Sequence, residues 1–281
     1  TNKELKNNGR NKFKSIKYLP AHFHLLFSFK ASCIKGLMND ITHIHVSNSI
    51  YAIYFFKFLK IVNKDIPLTM GVYHSKEYIW GGKNLPFYEK INREIFQKAL
   101  TNKASIFFNE KLPSIYRNYY SFSSSDVNVF PLGVIEDEGG ENNNKSTNKK
   151  IRIISVGRLV SFKTYNFWML DVVKKLREKI DVEYHIYGNG PDYEKISRKI
   201  SELNLTKVVF LKGELPYANF RSVVSSYDIF IGSGTAIIEA SSLGIPSIIG
   251  VEMVEKPLSY GFVCDIPGFS YNEDGLYEKT D

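Results

Sequence analysis

Apolar and polar positions alternate along the second half of the chain in blocks typical of strands and helices. Short apolar runs bounded by glycine or polar residues predict five strands: Ile151–Val156, Val182–Tyr187, Lys207–Leu211, Asp228–Ile231 and Ser247–Gly250. Between them, apolar side chains recur at helical spacing, as they do from Phe167 to Leu176 and from Tyr193 to Leu203. Strands that alternate with helices of this length predict a parallel sheet covered on both faces.

The first half shows the same alternation less clearly. Its apolar runs predict four strands, at Ile41–Val46, Pro67–Tyr73, Ser105–Phe108 and Val127–Phe130. Helical periodicity predicts three helices, at Ser49–Val62, Pro86–Leu100 and Lys111–Tyr119. Right-handed crossovers place the carboxyl ends of parallel strands at one edge of a sheet, where such sheets bind ligands. The predicted fold class is α/β, with two Rossmann-like, doubly wound parallel-sheet domains facing a cleft.

A polar segment separates the two halves. Residues 136–150 contain no aliphatic or aromatic side chain and cannot bury apolar surface, which predicts a flexible linker. The predicted domains are therefore residues 1–135 and residues 151–281. A cleft between two such domains is the expected ligand site.

Size and composition fit a two-domain globular protein. The chain has 281 residues, 43% of them hydrophobic, and no apolar stretch reaches the length of a membrane span. Its two cysteines, Cys33 and Cys264, form no disulfide framework or metal-binding pattern. A cytoplasmic location is the simplest expectation.

Charge is distributed unevenly along the chain. Residues 1–135 hold 19 Lys and Arg against 8 Asp and Glu, whereas residues 136–281 hold 18 against 21. The basic first half favours an anionic membrane surface or a charged acceptor as partner, and a solvated basic surface is the equally weighted alternative. No nucleic-acid partner is expected, because the basic residues are scattered and carry no RNA- or DNA-binding signature.

Glycine-rich and charged segments follow four of the predicted strands at the same sheet edge. In strand order they contain Gly157, Arg158 and Lys163; Gly188, Gly190 and Pro191; Gly213 and Glu214; and Gly234, Thr235 and Glu239. Two cations on one loop suit a diphosphate, although alone they are more simply interpreted as exposed basic residues. A glycine turn that opens a helix presents free N–H groups to an anion, and a carboxylate one turn later suits a sugar hydroxyl. Together these motifs predict a nucleotide site.

The order of the motifs resembles the carboxyl-terminal, nucleotide-sugar-binding domain of GT-B-fold glycosyltransferases, particularly the retaining family four (glycosyltransferase group 1) enzymes. The matching segments are Gly157-Arg158-Leu159 with Lys163, Gly188-Asn189-Gly190-Pro191, Val209 to Gly213, Asp228-Ile229-Phe230, Glu239-Ala240 and Gly244-Ile245-Pro246. The first half resembles the same family more loosely, through Ile41 to His45, Pro67 to His74 and Val129 to Val134.

The resemblance implies transfer of a hexose from a nucleoside-diphosphate sugar to a saccharide or lipid-linked acceptor, in bacterial surface-polysaccharide assembly. It implies that Arg158 and Lys163 hold the diphosphate and that His74 reaches the donor sugar, as the catalytic residues. It assigns donor-nucleotide binding to Gly157, Gly188, Gly190, Pro191, Gly213, Glu214, Gly234, Thr235 and Glu239. No metal or other cofactor is expected, and a retaining outcome is favoured over inversion. The first domain would take the acceptor, at the inner face of the cytoplasmic membrane.

Three departures from the family pattern leave other functions open. Ile231 stands where the family usually has a second glutamate, and Thr164 stands where a glycine usually follows the lysine. Both ends look incomplete, with no glycine-rich strand before residue 20 and no helices after Tyr271. The alternatives are a nucleotide-sugar epimerase of the same fold and a non-catalytic nucleotide-binding or scaffold relative.

Overall fold

The computed structural model describes residues 35–36, 38–47, 49–63, 65–75, 77–79, 87–130, 150–267 and 274–280. The chain divides into two compact units, Thr1–Phe130 and Pro131–Asp281. Apart from Lys150, the predicted linker over residues 136–150 lies outside the described residues. The segment before residue 20, Cys33, Pro86, the segment 131–134 and Tyr271 lie outside them as well.

Four described strands of the first unit form a parallel sheet in chain order. They are β1 (Ile44–Val46), β2 (Leu68–Val72), β3 (Ser105–Phe107) and β4 (Asn128–Val129). The helices are α1 (Ser49–Val62), α2 (Phe87–Thr101) and α3 (Leu112–Tyr116). One face of this sheet packs against α2, where Met70 and Phe107 meet Phe96 in a buried cluster.

Five parallel strands form the sheet of the second unit, in the order β7-β6-β5-β8-β9. The strands are β5 (Ile151–Val156), β6 (Val182–Tyr187), β7 (Val209–Gly213), β8 (Ile229–Gly232) and β9 (Ser247–Ile249). The helices are α4 (Tyr165–Leu176), α5 (Tyr193–Glu202), α6 (Phe220–Val224) and α7 (Thr235–Ser242). The chain leaves β5 in one direction and returns on its other side at β8, so the switch point lies between these two strands. Ligands bind at the carboxyl ends of strands beside such a point.

Apolar side chains cover both faces of this second sheet. On β5, Ile153 packs in a cluster with Trp168 of α4, whereas Ile154 packs in a second cluster with Ile237 of α7. Successive residues of a strand point to opposite faces, so a strand covered on both sides must be apolar throughout. Burial of both faces of the sheet therefore explains the continuous apolar runs of the sequence. The predicted α/β fold class is confirmed.

Several elements have the predicted bounds and others differ at their ends. The strands β5 and β6 and the helix α1 begin and end where they were predicted. Strand β7 begins two residues late because Val208 still belongs to a turn, in which its N–H donates to the carbonyl of Leu205 at 2.9 Å. Helix α3 ends three residues early, and Tyr119 closes a tighter turn on Tyr116 at 2.9 Å.

Helix α1 is the most apolar segment predicted in the first half. Ala52 and Phe55 are buried, whereas Tyr51 and Phe56 are exposed on the same helix. None of the helices that the structure describes is both long enough and apolar enough to cross a membrane.

Candidate functional site

The carboxyl edge of the second sheet carries a cavity of about 560 Å³. Its lining comes from the ends of β5, β6 and β7: Val156, Gly157, Arg158, Tyr187, Gly188, Asn189, Gly190, Glu214 and Leu215. Five of the residues predicted from the sequence therefore lie together here, namely Gly157, Arg158, Gly188, Gly190 and Glu214. Tyr187, Asn189 and Leu215 line the same cavity without having been identified as site residues.

The loops after β5 and β6 lie in direct backbone contact. The N–H of Gly157 donates to the carbonyl of Tyr187 at 2.9 Å. A Cβ atom on Gly188 would lie 1.9 Å from the carbonyl oxygen of Gly157, and one on Gly190 would lie 2.2 Å from that of Leu159. These two glycines are therefore required by close approach of two backbones.

The loop after β6 is also tied to the end of β7. The N–H of Gly188 donates to the carbonyl of Gly213 at 2.7 Å, and Glu214 follows as an exposed residue of the cavity wall. Proline is favoured at the first position of a helix, but Pro191 lies two residues before α5, which begins at Tyr193. The N–H of Tyr193 donates to Gly190, so Pro191 belongs to the turn before the helix.

The two predicted cations differ in exposure. Arg158 is exposed on the cavity wall and forms no hydrogen bond or ion pair with any other described residue. Lys163 is half-buried, and its Nζ lies 3.1 Å from the position that a Cβ of Gly157 would take. Burial lowers the pKa of Lys163, and the negative charge of Glu252 acts in the opposite direction.

The turn after β8 brings a helix start to the same edge. Gly234 precedes α7 with a φ of +68°, a conformation that favours glycine, and Thr235 is the first helical residue. One turn later, Glu239 is only 8% exposed. Within the described part of the chain its carboxylate has no hydrogen-bond or ion-pair partner. A buried carboxylate with this geometry suits a ligand that donates hydrogen bonds.

Sequence reasoning missed a second buried carboxylate at this edge. Glu252 follows β9 and is 8% exposed, and the hydroxyl of Ser233 donates to its Oε1 at 3.1 Å. An acidic residue shortly after a buried parallel strand is the signal that could have indicated it, because all such strands end at the same edge.

The predicted histidine lies in the first unit. His74 is exposed just after β2, and its carbonyl accepts a hydrogen bond from the hydroxyl of Tyr116 at 3.0 Å. In the same turn, Glu77 accepts a hydrogen bond from the N–H of Tyr73 at 3.1 Å. Burial raises the pKa of Glu77 to about 7. The role of His74 stays a prediction.

The carboxyl edge of the second sheet thus carries cations, the start of a helix and a buried carboxylate. Cations and N–H groups suit phosphate oxygens, and the carboxylate suits hydroxyl groups. The described residues include no group of three or more His, Cys, Asp or Glu side chains that could hold a metal ion.

Comparison with protein families identifies a domain in the second half of the chain. Residues 137–256 match the family model described as Glycosyl transferases group 1. The GPI3 subunit of phosphatidylinositol N-acetylglucosaminyltransferase from Saccharomyces cerevisiae (strain RM11-1a) is 27% identical over 198 residues, covering 62% of this chain and 41% of the relative. The chain spans about two fifths of the length of the first curated relatives that it matches.

Two solved structures illustrate the fold that this chain shares with known proteins. HepE from Anabaena, in complex with UDP and glucose, has a TM-score of 0.59 at 12% identity and covers 78% of this chain and 61% of its own. A mutant of S. aureus TarM, in complex with Fondaparinux, alpha-GlcNAc-glycerol and UDP, has a TM-score of 0.53 at 17% identity, with coverages of 69% and 39%. At this identity the likeness shows the fold, and the predicted resemblance to GT-B glycosyltransferases is confirmed.

Substituting Gly188 tests the backbone contact. We expect Gly188→Ala to lower the free energy of unfolding by about 3 kcal/mol, because the added methyl group meets a backbone carbonyl that cannot rotate away. Urea unfolding followed by the fluorescence of Trp168, buried in this unit, measures it in a Trp80→Phe background.

Gly213→Ala is the matched control. A Cβ at Gly213 meets nothing within 4 Å and suffers only from its φ of +72°, which costs about 1 kcal/mol. Equal losses in the two variants would show that conformation, and not contact, explains the glycine at 188.

Proposed function

We propose, on the premise that residues 137–256 are a group 1 glycosyl transferase domain, that this protein transfers a sugar from a nucleoside-diphosphate sugar to a saccharide or lipid-linked acceptor. The observation that carries the proposal is the exposed guanidinium of Arg158 beside the glycine loops, which has no ion-pair partner among the described residues, with Lys163 next to it. UDP in solved structures of similar fold supports the donor class.

The chemistry follows from where charge develops. When the bond from the sugar to the diphosphate breaks, negative charge grows on the phosphate oxygen that leaves. Arg158 would bind two of the phosphate oxygens, and Lys163 would add a second positive charge. The start of α7, at Gly234 and Thr235, would add the positive end of the helix dipole and backbone N–H groups beside the same ligand. The oxygen of an acceptor hydroxyl forms the new bond to the sugar carbon as the bond to the diphosphate breaks, and its proton passes to the departing diphosphate or to water.

The nucleoside would extend along the loops after β6 and β7. Glu239, buried and without a partner in the described residues, would accept hydrogen bonds from the ribose hydroxyls, and Glu214 would lie beside the base. His74 would contact the donor sugar. The mechanism in this proposal needs no metal, since the cations supply the electrostatic stabilisation. Retention of configuration is proposed from the resemblance to the retaining family four enzymes.

Two proteins that are similar to this chain support a role in the assembly of cell-surface glycans. Besides the yeast enzyme, a poly(glycerol-phosphate) alpha-glucosyltransferase of Bacillus subtilis (strain 168) is 30% identical over 104 residues, covering 36% of this chain and 16% of the relative. We place the protein in bacterial surface-polysaccharide assembly, in the cytoplasm at the inner face of the membrane.

Removing either cation tests the proposed function. We expect Arg158→Ala and Lys163→Ala each to lower sugar transfer at least about a hundredfold, because each removes a positive charge that stabilises the leaving diphosphate. Transfer from a panel of nucleotide sugars is measured with and without a metal chelator. Lys175→Ala, an exposed lysine on α4, is the matched control and should retain full activity.

Three outcomes would contradict parts of this proposal. Full activity in both variants excludes the diphosphate role of the two cations. Conversion of the donor without an acceptor identifies an epimerase. Failure of every nucleoside diphosphate to bind in calorimetry favours a non-catalytic scaffold.

Replacing Glu239 tests ribose recognition. We expect the wild type to bind UDP about tenfold or more tightly than its 2′,3′-dideoxy analogue, because hydrogen bonds to a carboxylate contribute about 1.5–3 kcal/mol. Glu239→Gln should lose most of this preference, as measured by calorimetry. Glu255→Gln, an exposed residue, should keep it. An undiminished preference in Glu239→Gln would assign the ribose to other groups.

Vesicle binding tests the membrane location. The net charge of +11 on residues 1–135 should produce binding to anionic vesicles that weakens as salt is raised. Sedimentation with vesicles of anionic or neutral lipid measures this. Equal binding to both would exclude an electrostatic origin.

A further inference from the structure

Glu252 is a buried acid that the proposed mechanism does not use. Its side chain is 8% exposed and accepts a hydrogen bond from Ser233 at 3.1 Å. Ser233 lies between Gly232 and Gly234, in the turn that opens α7. Tyr165, fully buried at the start of α4, places its hydroxyl 3.4 Å from Ser233 Oγ. Since Ser233 donates its only proton to Glu252, Tyr165 donates to Ser233.

The segment that carries Glu252 is also attached to the loop that carries Lys163. The N–H of Met253 donates to the carbonyl of Phe162 at 2.8 Å. The hydroxyl of Thr164 donates to the carbonyl of Val254 at 2.7 Å. Lys163 therefore lies between two hydrogen bonds that fasten its loop to the residues directly following Glu252.

We propose that Glu252 is a positioning residue, which joins the turn that opens α7 to the Lys163 loop and thereby holds the two halves of the diphosphate site together. The inference rests on the proposed function, because it concerns the same diphosphate. It also accounts for Thr164, which stands at a position where the family usually has glycine and whose hydroxyl makes one of the two bonds.

The charge of Glu252 also affects the pKa of Lys163. Half-burial of Lys163 favours the neutral amine, and the negative charge of Glu252 favours the ammonium. Further ionisable groups on the neighbouring elements are Arg158, Tyr165, Glu239, Glu255 and Lys256. When the charge of Glu252 is removed, the pKa of Lys163 should fall further. As the pH rises, diphosphate binding should then begin to weaken at a lower pH than it does in the wild type.

Glu252→Gln tests the proposal because it keeps an acceptor for Ser233 and removes the charge. UDP binding is measured by calorimetry from about pH 7.5 to about pH 9.5, as the ratio of variant to wild type, so that titration of UDP itself cancels. We expect a ratio near one at the lower pH and a loss of about tenfold or more at the higher pH. A ratio that does not change with pH would overturn the charge effect.

Three further variants separate the effect of the Glu252 charge from the effect of its hydrogen bond with Ser233. Ser233→Ala removes the hydrogen bond but leaves the charge, so it should weaken binding equally at both pH values. In a Lys163→Arg background, Glu252→Gln should produce no pH dependence, because arginine stays charged. Glu255→Gln, three residues further along the same segment, should bind like the wild type. A pH-dependent loss in Ser233→Ala or Glu255→Gln would contradict the assignment to Glu252.

A readout without ligand keeps the inference separate from the proposed function. After reductive methylation with labelled formaldehyde, NMR follows the pKa of Lys163, whose signal is identified by its absence in Lys163→Arg. Glu252→Gln should lower this pKa, because the neighbouring negative charge that favours the ammonium is lost. An unchanged pKa would overturn the coupling, whereas a lowered pKa without UDP binding in the wild type would overturn the donor role alone.

Discussion

Backbone contact between the loops after β5 and β6 determines the geometry of the whole site. The carbonyls of Gly157 and Leu159 approach Gly188 and Gly190 so closely that no side chain fits between them. Arg158 lies between the first two residues, so its main chain is fixed on both sides before any ligand arrives. The backbone that carries this cation therefore has little conformational freedom to lose on binding, so that only the side chain of Arg158 must be ordered.

The two cations on this scaffold are suited to different tasks. Arg158 is exposed, and its planar guanidinium can bind two oxygens at once. Lys163 is half-buried and depends on its surroundings for its charge, because burial lowers its pKa while Glu252 opposes the change. Partial burial strengthens the interaction of Lys163 with an anion, since less water screens it. The carboxylate of Glu252 is then part of the same electrostatic balance as the lysine.

Patterns local in sequence predicted the fold and much of the site, and contacts distant in sequence account for the remainder. The strands β5 and β6 were predicted with the correct bounds because each is a continuous apolar run bounded by polar residues or glycine. The cavity residues Arg158 and Gly188 followed from their positions at strand ends. Glu252 was missed because its partner Ser233 is 19 residues away, and only its position shortly after β9 could have indicated it. The starts of β7 and α5 depend on turn hydrogen bonds that apolar periodicity does not encode.

Ile231, which stands where the family usually has a second glutamate, has a structural reason and a limited effect on the candidate site. Ile231 is 1% exposed and packs in the same core cluster as Tyr165 and Trp168. A carboxylate at this position would be buried among apolar side chains without a partner, which is strongly unfavourable. The buried carboxylates that the described residues place at this edge come instead from α7, with Glu239, and from the residues after β9, with Glu252. The cations and helix N–H groups suited to a diphosphate do not depend on Ile231. In the proposed function, recognition of the diphosphate is therefore separable from recognition of the sugar, and any carboxylate contact to the sugar from this edge must come from a position other than 231.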